Sequence, residues 1–305
     1  TGANTTKNIA IPSGYTASLT YSGSQQYSSD MGGHPVLLLE STTNTNLHYP
    51  AYIDEEDQIH IMNTVPMREH AYYLNGIILN GYFIFSDDTE NLTKYIVNLN
   101  AESPSPIKIS FPVQDNNSYG ESVTFGNGMF YFSYRDNSIS SSDYNKSLYR
   151  LDPNSLISNN SYSTTLLSST SSRMNTISYA SNDNIYFSDS YRPSSEGTAK
   201  FYSYNTNNGT LESYDLPASL EQMTILKSNN KVVEINGKLV CYGYNQAWAN
   251  SATRNRLYLF DTASNTFENL FDENYTLSGF CSTQDYTYSS GYQAIVEYDG
   301  KLYIT

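Results

Sequence analysis

Cysteine, tryptophan, histidine and positive charge are all scarce in this 305-residue chain: 2 Cys, 1 Trp, 4 His, and 16 Lys plus Arg against 30 Asp plus Glu. The formal net charge is −14, and a surface this acidic repels phosphate backbones, which argues against nucleic acid as a partner. Anionic membrane surfaces are disfavoured on the same ground. Long apolar runs are missing too. The strongest, Pro35 to Leu39, is strand-sized, well short of the ~18–20 residues of a membrane helix, so no membrane insertion is expected. Good helix formers are few, which argues against a helical protein. Two cysteines make no disulfide framework: Cys241 and Cys281 either form one bridge or stay as two buried thiols. The chain opens TGANTTKNIA, without Met, a basic stretch or an apolar stretch. It therefore reads as a mature or trimmed form from which any targeting segment is already gone.

What is abundant is tyrosine. With 30 Tyr and 12 Phe, aromatics are 14% of the chain, and disordered chains are poor in aromatics. A collagen-like composition is excluded by only 17 Gly and 10 Pro. Abundant Tyr and Thr favour strands. Low charge with much Ser, Thr, Asn and Tyr points to an extracellular, cell-surface or periplasmic setting. Seven Asn-x-Ser/Thr sequons occur, at Asn4, Asn91, Asn116, Asn145, Asn159, Asn208 and Asn274. A chain this rich in Asn, Ser and Thr supplies about that many by chance, and they carry no glycosylation assignment.

Two elements recur along the chain. One is a turn followed by an apolar strand: Asn80-GYFIFS-Asp87, Asn127-GMFYFS-Tyr134, Asn182-DNIYFS-Asp189, Asn236-GKLVCY-Gly243 and Asp299-GKLYIT. Asn-Gly and Asp-Gly favour two-residue hairpin turns with positive φ at both central residues. The other is Tyr-x-apolar-Asn/Asp, at Tyr95–Asn98, Tyr149–Asp152, Tyr202–Asn205 and Tyr258–Asp261, spaced by 54, 53 and 56 residues. Two series with nearly one period define a repeat of about 53 residues, with room for four short strands. That describes a β-propeller blade. The expected fold is all-β: four-stranded antiparallel blades in a single domain over 1–305, six of them, with five or seven as alternatives. Residues 51–62 match 294–305 in apolar pattern and read as another inner hairpin, although the Glu56 tip lies only 24 residues before Asn80. The ring is expected to close through residues 1–22, with Ile9–Pro12 and Tyr15–Tyr21 completing the blade that 293–305 begins, which removes free sheet edges.

Residues 231–270 resemble a kelch repeat: hairpin, apolar second strand, long loop, then a Tyr/Phe-Asp strand, an Asn-Thr turn and an aromatic. Phe267 stands where kelch repeats carry Trp, and Tyr242-Gly243 replaces their paired glycines. The Phe-Ser-Asp endings at Phe85 and Phe187 lean toward YWTD-type propellers. The resemblance spans roughly 76–305 and implies a divergent kelch-like propeller. Kelch-like propellers include sugar mutarotases and lyases that work through loop Arg, Glu, Tyr and Asn without a linear motif.

No phosphate-binding loop, dinucleotide fingerprint, GxSxG elbow or HExxH is present, and no cofactor is expected. His34, His48, His60 and His70 are spaced by 14, 12 and 10 residues. They read as ordinary strand and loop residues rather than metal ligands. The acidic run Asp54–Asp57 lacks a spaced calcium pattern and reads as a solvated turn. The candidate site is the set of long polar loops between second and third strands: Tyr134, Arg135, Asp189, Tyr191, Arg192, Tyr244, Asn245 and Trp248. Aromatic faces cover the apolar face of a pyranose, and Arg pairs with a carboxylate. The recurrent Tyr95, Tyr149, Tyr202 and Tyr258 read as structural. The resulting expectation is a propeller that binds a glycan, an acidic sugar being one option, or a protein through this loop face. The alternatives are an enzyme acting on a sugar, with Arg135 or Arg192 holding a carboxylate, or a structural module of a larger surface protein.

Overall fold

A computed structural model of the chain describes residues 8–18, 34–45, 47–62, 66, 76–86, 93–111, 119–136, 145–156, 164–170, 174–189, 200–217, 220, 222–228, 231–244, 257–270, 295–298 and 301–304. Strand follows strand throughout. Among the described residues the one helical element is a 3₁₀ turn, Pro153–Ser155. The fold is a β-propeller built of antiparallel sheets, as the repeat implies.

Sheet I runs in the order β1 (Tyr15–Ser18), β2 (Val36–Ser41), β3 (His48–Ile53), β4 (Ile59–Ile61). Sheet II is β5 (Ile77–Leu79), β6 (Tyr82–Phe85), β7 (Thr93–Asn98) and β8 (Pro106–Ser110). Sheet III is β9 (Tyr119–Gly126), β10 (Met129–Asp136), β11 (Asn145–Leu151) and β12 (Thr164–Thr170). Sheet IV is β13 (Met174–Tyr179), β14 (Asn184–Asp189), β15 (Lys200–Asn205) and β16 (Leu211–Asp215). In sheet V the first strand is broken into β17 (Gln222–Ile225) and β20 (Glu234–Ile235), with β18 (Lys227–Ser228) and β19 (Lys231–Val232) forming a small hairpin between them. It continues as β21 (Lys238–Tyr244), β22 (Leu257–Asp261) and β23 (Thr266–Asn269). The last described strands, β24 (Ile295–Tyr298) and β25 (Lys301–Ile304), pair with each other.

Two readings of the N-terminal quarter are corrected. The 51–62 hairpin is β3–β4, the third and fourth strands of sheet I, rather than an inner first-to-second hairpin. This removes the spacing conflict, because Glu56 and Asn80 are then the outer turn of one sheet and the inner turn of the next. The described part of 1–22 does not complete the last sheet either. Tyr15–Ser18 pairs with Val36–Ser41, from Tyr15 opposite Ser41 to Ser18 opposite Leu38. Val36–Ser41 is the more apolar strand and takes the interior place beside it. The chain divides into two compact units, Thr1–Pro112 with Leu156–Tyr162 and Val113–Ser155 with Ser163–Thr305.

The cores lie between consecutive sheets and follow from the period-2 alternation of strands. In the first unit Leu38 and Tyr52 of sheet I meet Ile78, Phe83, Phe85 and Val97 of sheet II. In the second, one face of sheet IV (Ile177, Ile185, Phe187, Tyr204) packs on Tyr131 and Leu148 of sheet III. Its other face (Tyr186, Phe201) packs on Met223, Ile225, Leu239, Cys241, Tyr258 and Phe260 of sheet V.

The turns divide into two kinds. Asn80-Gly81, Asn127-Gly128 and Asn236-Gly237 all have positive φ, between 47° and 77°, as two-residue type I′ turns require. The turn at Asn182 departs from that reading. Ala180 N–H donates to Asn184 O at 2.9 Å across a three-residue loop, and only Asp183, with φ 61°, is left-handed. The Asp54–Gln58 turn is built alike, with Asp57 at φ 61°. A short polar side chain tolerates this backbone when it can hydrogen-bond locally.

Candidate functional site

Inter-sheet hydrogen bonds in the second unit establish which strand ends gather together. Tyr179 N–H, at the end of β13, donates to Thr124 Oγ1, near the end of β9. Ser181, just before the sheet IV turn, donates from its hydroxyl to Glu234, just before the sheet V turn, at 3.0–3.1 Å. The first-to-second turns of sheets III, IV and V therefore lie at one end of the unit. Their second strands run away from that end and finish at Asp136, Asp189 and Tyr244. The backbone accordingly brings Arg135, Asp189 and Tyr244 to the same opposite end.

Of the other residues expected there, Tyr191, Arg192, Asn245 and Trp248 lie outside the described residues. Tyr134 is placed differently from expectation. It is fully buried, its ring edge-on to Tyr149 with centroids 5.9 Å apart, and burial pushes its hydroxyl well above the usual phenol range. It offers no exposed face to a sugar. The cause is that β10 is covered on both faces, Phe130 to Tyr134 all being buried without interruption. Cys241 is a buried free thiol whose pKa burial raises, while Cys281 lies outside the described residues.

The recurrent tyrosines pack across strands. Tyr95 stacks on its register partner Phe85 at 5.1 Å and 13°, and Tyr202 on Phe187 at 5.2 Å and 12°. The same register pairs Tyr149 with Phe132, and Tyr258 with Cys241. Cys241 thus stands where the other sheets carry Phe, which accounts for a buried thiol at this position. One step before these tyrosines, Leu148, Phe201 and Leu257 are core residues with no exposed surface. Sheet II has Lys94 there, 1% exposed, its ammonium donating to Ser86 Oγ at 2.5 Å. A lysine in a series otherwise filled by Leu and Phe is a signal that the repeat alignment contains, and the search for linear motifs missed it.

A second polar cluster sits at the turn end, between sheets III and IV. Tyr179 donates its hydroxyl to Asp183 Oδ1 and stacks on Tyr131 at 5.9 Å and 14°. Burial and the Asp183 carboxylate hold its pKa far above the usual value. Asn207 donates to the other carboxylate oxygen at 3.1 Å, and Thr206 donates through both N–H and hydroxyl to Asp183 O. The Arg150 guanidinium favours ionisation of Tyr131 and Tyr204 from nearby, although desolvation outweighs it and both pKa values rise. Tyr204 donates to Leu167 O. Gly126 makes room for this stack, since a Cβ there would meet the Tyr179 ring at 2.0 Å. The Asp183 bonds tie the turn of sheet IV to its own strands, while Tyr179 N–H to Thr124 Oγ1 and Tyr204 to Leu167 O cross to sheet III.

Of the four histidines His34, His48 and His60 are described, His48 in β3, His60 in β4 and His34 just before β2, and His70 lies outside the described residues. His34 places both ring nitrogens 3.2 Å from carbonyl oxygens, of Ile53 and Ala101. His60 stacks on Tyr52 at 4.9 Å and donates to Asp54 Oδ2 at 2.6 Å. That bond and the Gln58 N–H hold the Asp54 carboxyl below the usual range. Among the described residues no three His, Cys, Asp or Glu side chains gather as a metal site.

The sequence matches no protein-family model and no curated protein. Its fold is similar to that of solved structures. One is an oligogalacturonate lyase in complex with manganese, with TM-score 0.53 and 11% identity, covering 81% of this chain and 64% of that one. Another is puromycin hydrolase, with TM-score 0.53 and 10% identity, covering 82% of this chain and 39% of that one. At such identities the likeness establishes the propeller fold, and this chain spans less than two thirds of either protein's length.

Proposed function

We propose that this chain is a propeller enzyme acting on an acidic carbohydrate, with lyase-type chemistry at the end where the second strands finish. The observation that carries the reading is the convergence of Arg135, Asp189 and Tyr244 at one end of three consecutive sheets. Fold likeness to an oligogalacturonate lyase supports it, and every sugar of an oligogalacturonate bears a carboxylate. The chemistry uses residues that these loops supply. Arg135 and Arg192 pair with the substrate carboxylate, and the pairing stabilises the negative charge that builds as the adjacent carbon loses its proton. A loop Asp, Tyr or Glu takes that proton. The carbon–oxygen bond at the neighbouring carbon then breaks, its electrons leave with the glycosidic oxygen, which is protonated, and a carbon–carbon double bond remains.

The test is incubation of the chain with oligogalacturonate while the ultraviolet absorbance of the conjugated double bond is followed. We expect absorbance to grow, and the paired substitutions Arg135→Ala and Arg192→Ala to slow it roughly a hundredfold or more. Saturable binding without product would make the propeller a binding module. The absence of both binding and product would overturn the reading.

A further inference from the structure

Five Asn-Gly dipeptides occur in the chain. Asn75 lies outside the described residues, while Asn80, Asn127, Asn208 and Asn236 lie within them. Asparagine is thermolabile, and most so before glycine, because no Cβ shields the amide nitrogen that follows. That nitrogen attacks the asparagine side-chain carbonyl, closes a five-membered ring and expels ammonia. In sequence the four described dipeptides are equal. In structure they are not.

The ring joins the Asn side chain to the Gly nitrogen, and its closure needs an Asn ψ of about −120°, the value at the first central residue of a type II′ turn. A type I′ turn has the same positive φ at that residue and differs by a flip of the central peptide. Asn80, Asn127 and Asn236 have φ of 50°, 47° and 49°. Each is one peptide flip from the reactive geometry, and both turns suit the twist of the flanking strands. Asn208 stands apart, since of that pair only Gly209 has positive φ. Both of its reacting groups are also engaged: Gly209 N–H donates to Asn205 O and Thr210 N–H to Asn208 Oδ1, each at 2.9 Å.

The surroundings of the glycine separate the other three. Gly81 is buried, the Asn100 side chain fills the place of a Cβ, and Leu99 N–H donates to its carbonyl at 2.9 Å. Gly237 is exposed with open space beside its Cα, but the Thr262 hydroxyl donates to its carbonyl at 3.0 Å. Asn127 and Gly128 are both exposed, and nothing lies within 4 Å of a Gly128 Cβ. Among the described residues no backbone hydrogen bond holds the peptide between them.

We propose that Asn127 is a self-modification site, at which the folded chain converts asparagine to aspartate and isoaspartate. The Gly128 nitrogen bonds to Asn127 Cγ, and the bond from Cγ to the side-chain nitrogen breaks. Ammonia leaves with the proton that the Gly128 nitrogen gives up, and one water then opens the ring. Addition at Cγ yields aspartate. Addition at the backbone carbonyl carbon yields isoaspartate, in which the main chain runs through the side chain. Nothing is oxidised or reduced. Either product adds a negative charge to a chain already at −14. Isoaspartate also lengthens by one carbon the turn beside Gly126, where the Tyr179 ring packs.

The experiment holds the whole folded chain in mildly alkaline buffer and follows each dipeptide by digestion and mass spectrometry. Short peptides carrying the same four dipeptides give the unstructured rates, and each folded rate is divided by that of its peptide. On this scale Asn127 should convert first and Asn236 a few-fold more slowly. Asn80 and Asn208 should be roughly tenfold slower or more, because packing or hydrogen bonds must first be released. Any of the other three ahead of Asn127, Asn80 or Asn208 matching it, or Asn127 intact while its peptide converts, overturns the inference.

Discussion

The second unit contains two sheet junctions made by one repeat, and they are held together differently. Between sheets III and IV the core is lined with tyrosines, Tyr131, Tyr179, Tyr202 and Tyr204, and the hydroxyls of Tyr179 and Tyr204 end on Asp183 and a backbone carbonyl. Between sheets IV and V it is a packed aromatic cluster. Phe260 alone meets Tyr186, Phe201, Tyr214 and Phe267, with ring centroids 4.7–5.7 Å apart. The first junction depends on hydrogen bonds whose water-exchanged worth is small, and the second on buried area and dispersion. A tyrosine ring buries nearly as much as phenylalanine but must bring its hydroxyl to a partner. For Tyr179 that partner is Asp183 in the left-handed turn of its own sheet, and in the second cluster Asn182 and Asn184 serve Tyr186 while Ser203 and Glu212 serve Tyr214.

This difference sets the expected effects. Phe260→Ala empties the centre of the IV–V cluster and should cost about 3–5 kcal/mol, measured by denaturant unfolding. A loss below about 1 kcal/mol would mean that the cluster is not what holds these sheets. Lys227 joins the same two sheets through one hydrogen bond and opposes that cohesion. Its folded pKa is lowered to about 8 from an unfolded value near 10.5. Below 8 the amine is charged in both states, and the desolvation penalty is fully present. As pH rises from about 8 to 10.5 the folded chain releases a proton that the unfolded chain still holds, so stability climbs across that window. Lys227→Met should remove this climb and add on the order of 1–2 kcal/mol at neutral pH. Unfolding midpoints at pH 7 and 9.5 that rise equally in protein and variant would contradict it.

Tyr179→Phe should have the smallest effect, about 1 kcal/mol, because it deletes one hydroxyl and leaves the stack on Tyr131. Its pH signature has the opposite sign. A phenol whose folded pKa is raised stabilises the chain fully below the unfolded value near 10 and loses that contribution as pH climbs above it. The substitution should flatten the alkaline loss, and unchanged alkaline unfolding would show that the Asp183 bond contributes nothing.

Much of this architecture is written locally. Asn-Gly pairs need two left-handed residues, so the turns at Asn80, Asn127 and Asn236 could be read from dipeptides alone. The Asn182 turn could not. Asn-Asp suits either loop length, and the choice of three residues depends on Tyr179 and Asn207 arriving at the Asp183 carboxylate. Likewise the 51–62 hairpin has the same apolar pattern whether it opens a sheet or closes one. Only pairing with Val36–Ser41 makes β3 a third strand. Tyr134 failed as a loop residue for a related reason, since burial at a strand end is set by the sheet packed against it. The strand ends that carry Arg135, Asp189 and Tyr244 lie at one end because a regular repeat carries equivalent backbone positions there.

By itself the sequence determined the all-β class, the period of about 53 residues and the structural role of the recurrent tyrosines, because each follows from backbone preference and alternation over a few residues. The tertiary structure decided what faces what. It set Cys241 into a phenylalanine position, bonded Ser181 of sheet IV to Glu234 of sheet V, and looped Lys227 out of a broken strand to meet sheet IV. Such contacts join residues about 50 apart. No local pattern encodes them, since they depend on which sheet packs beside which.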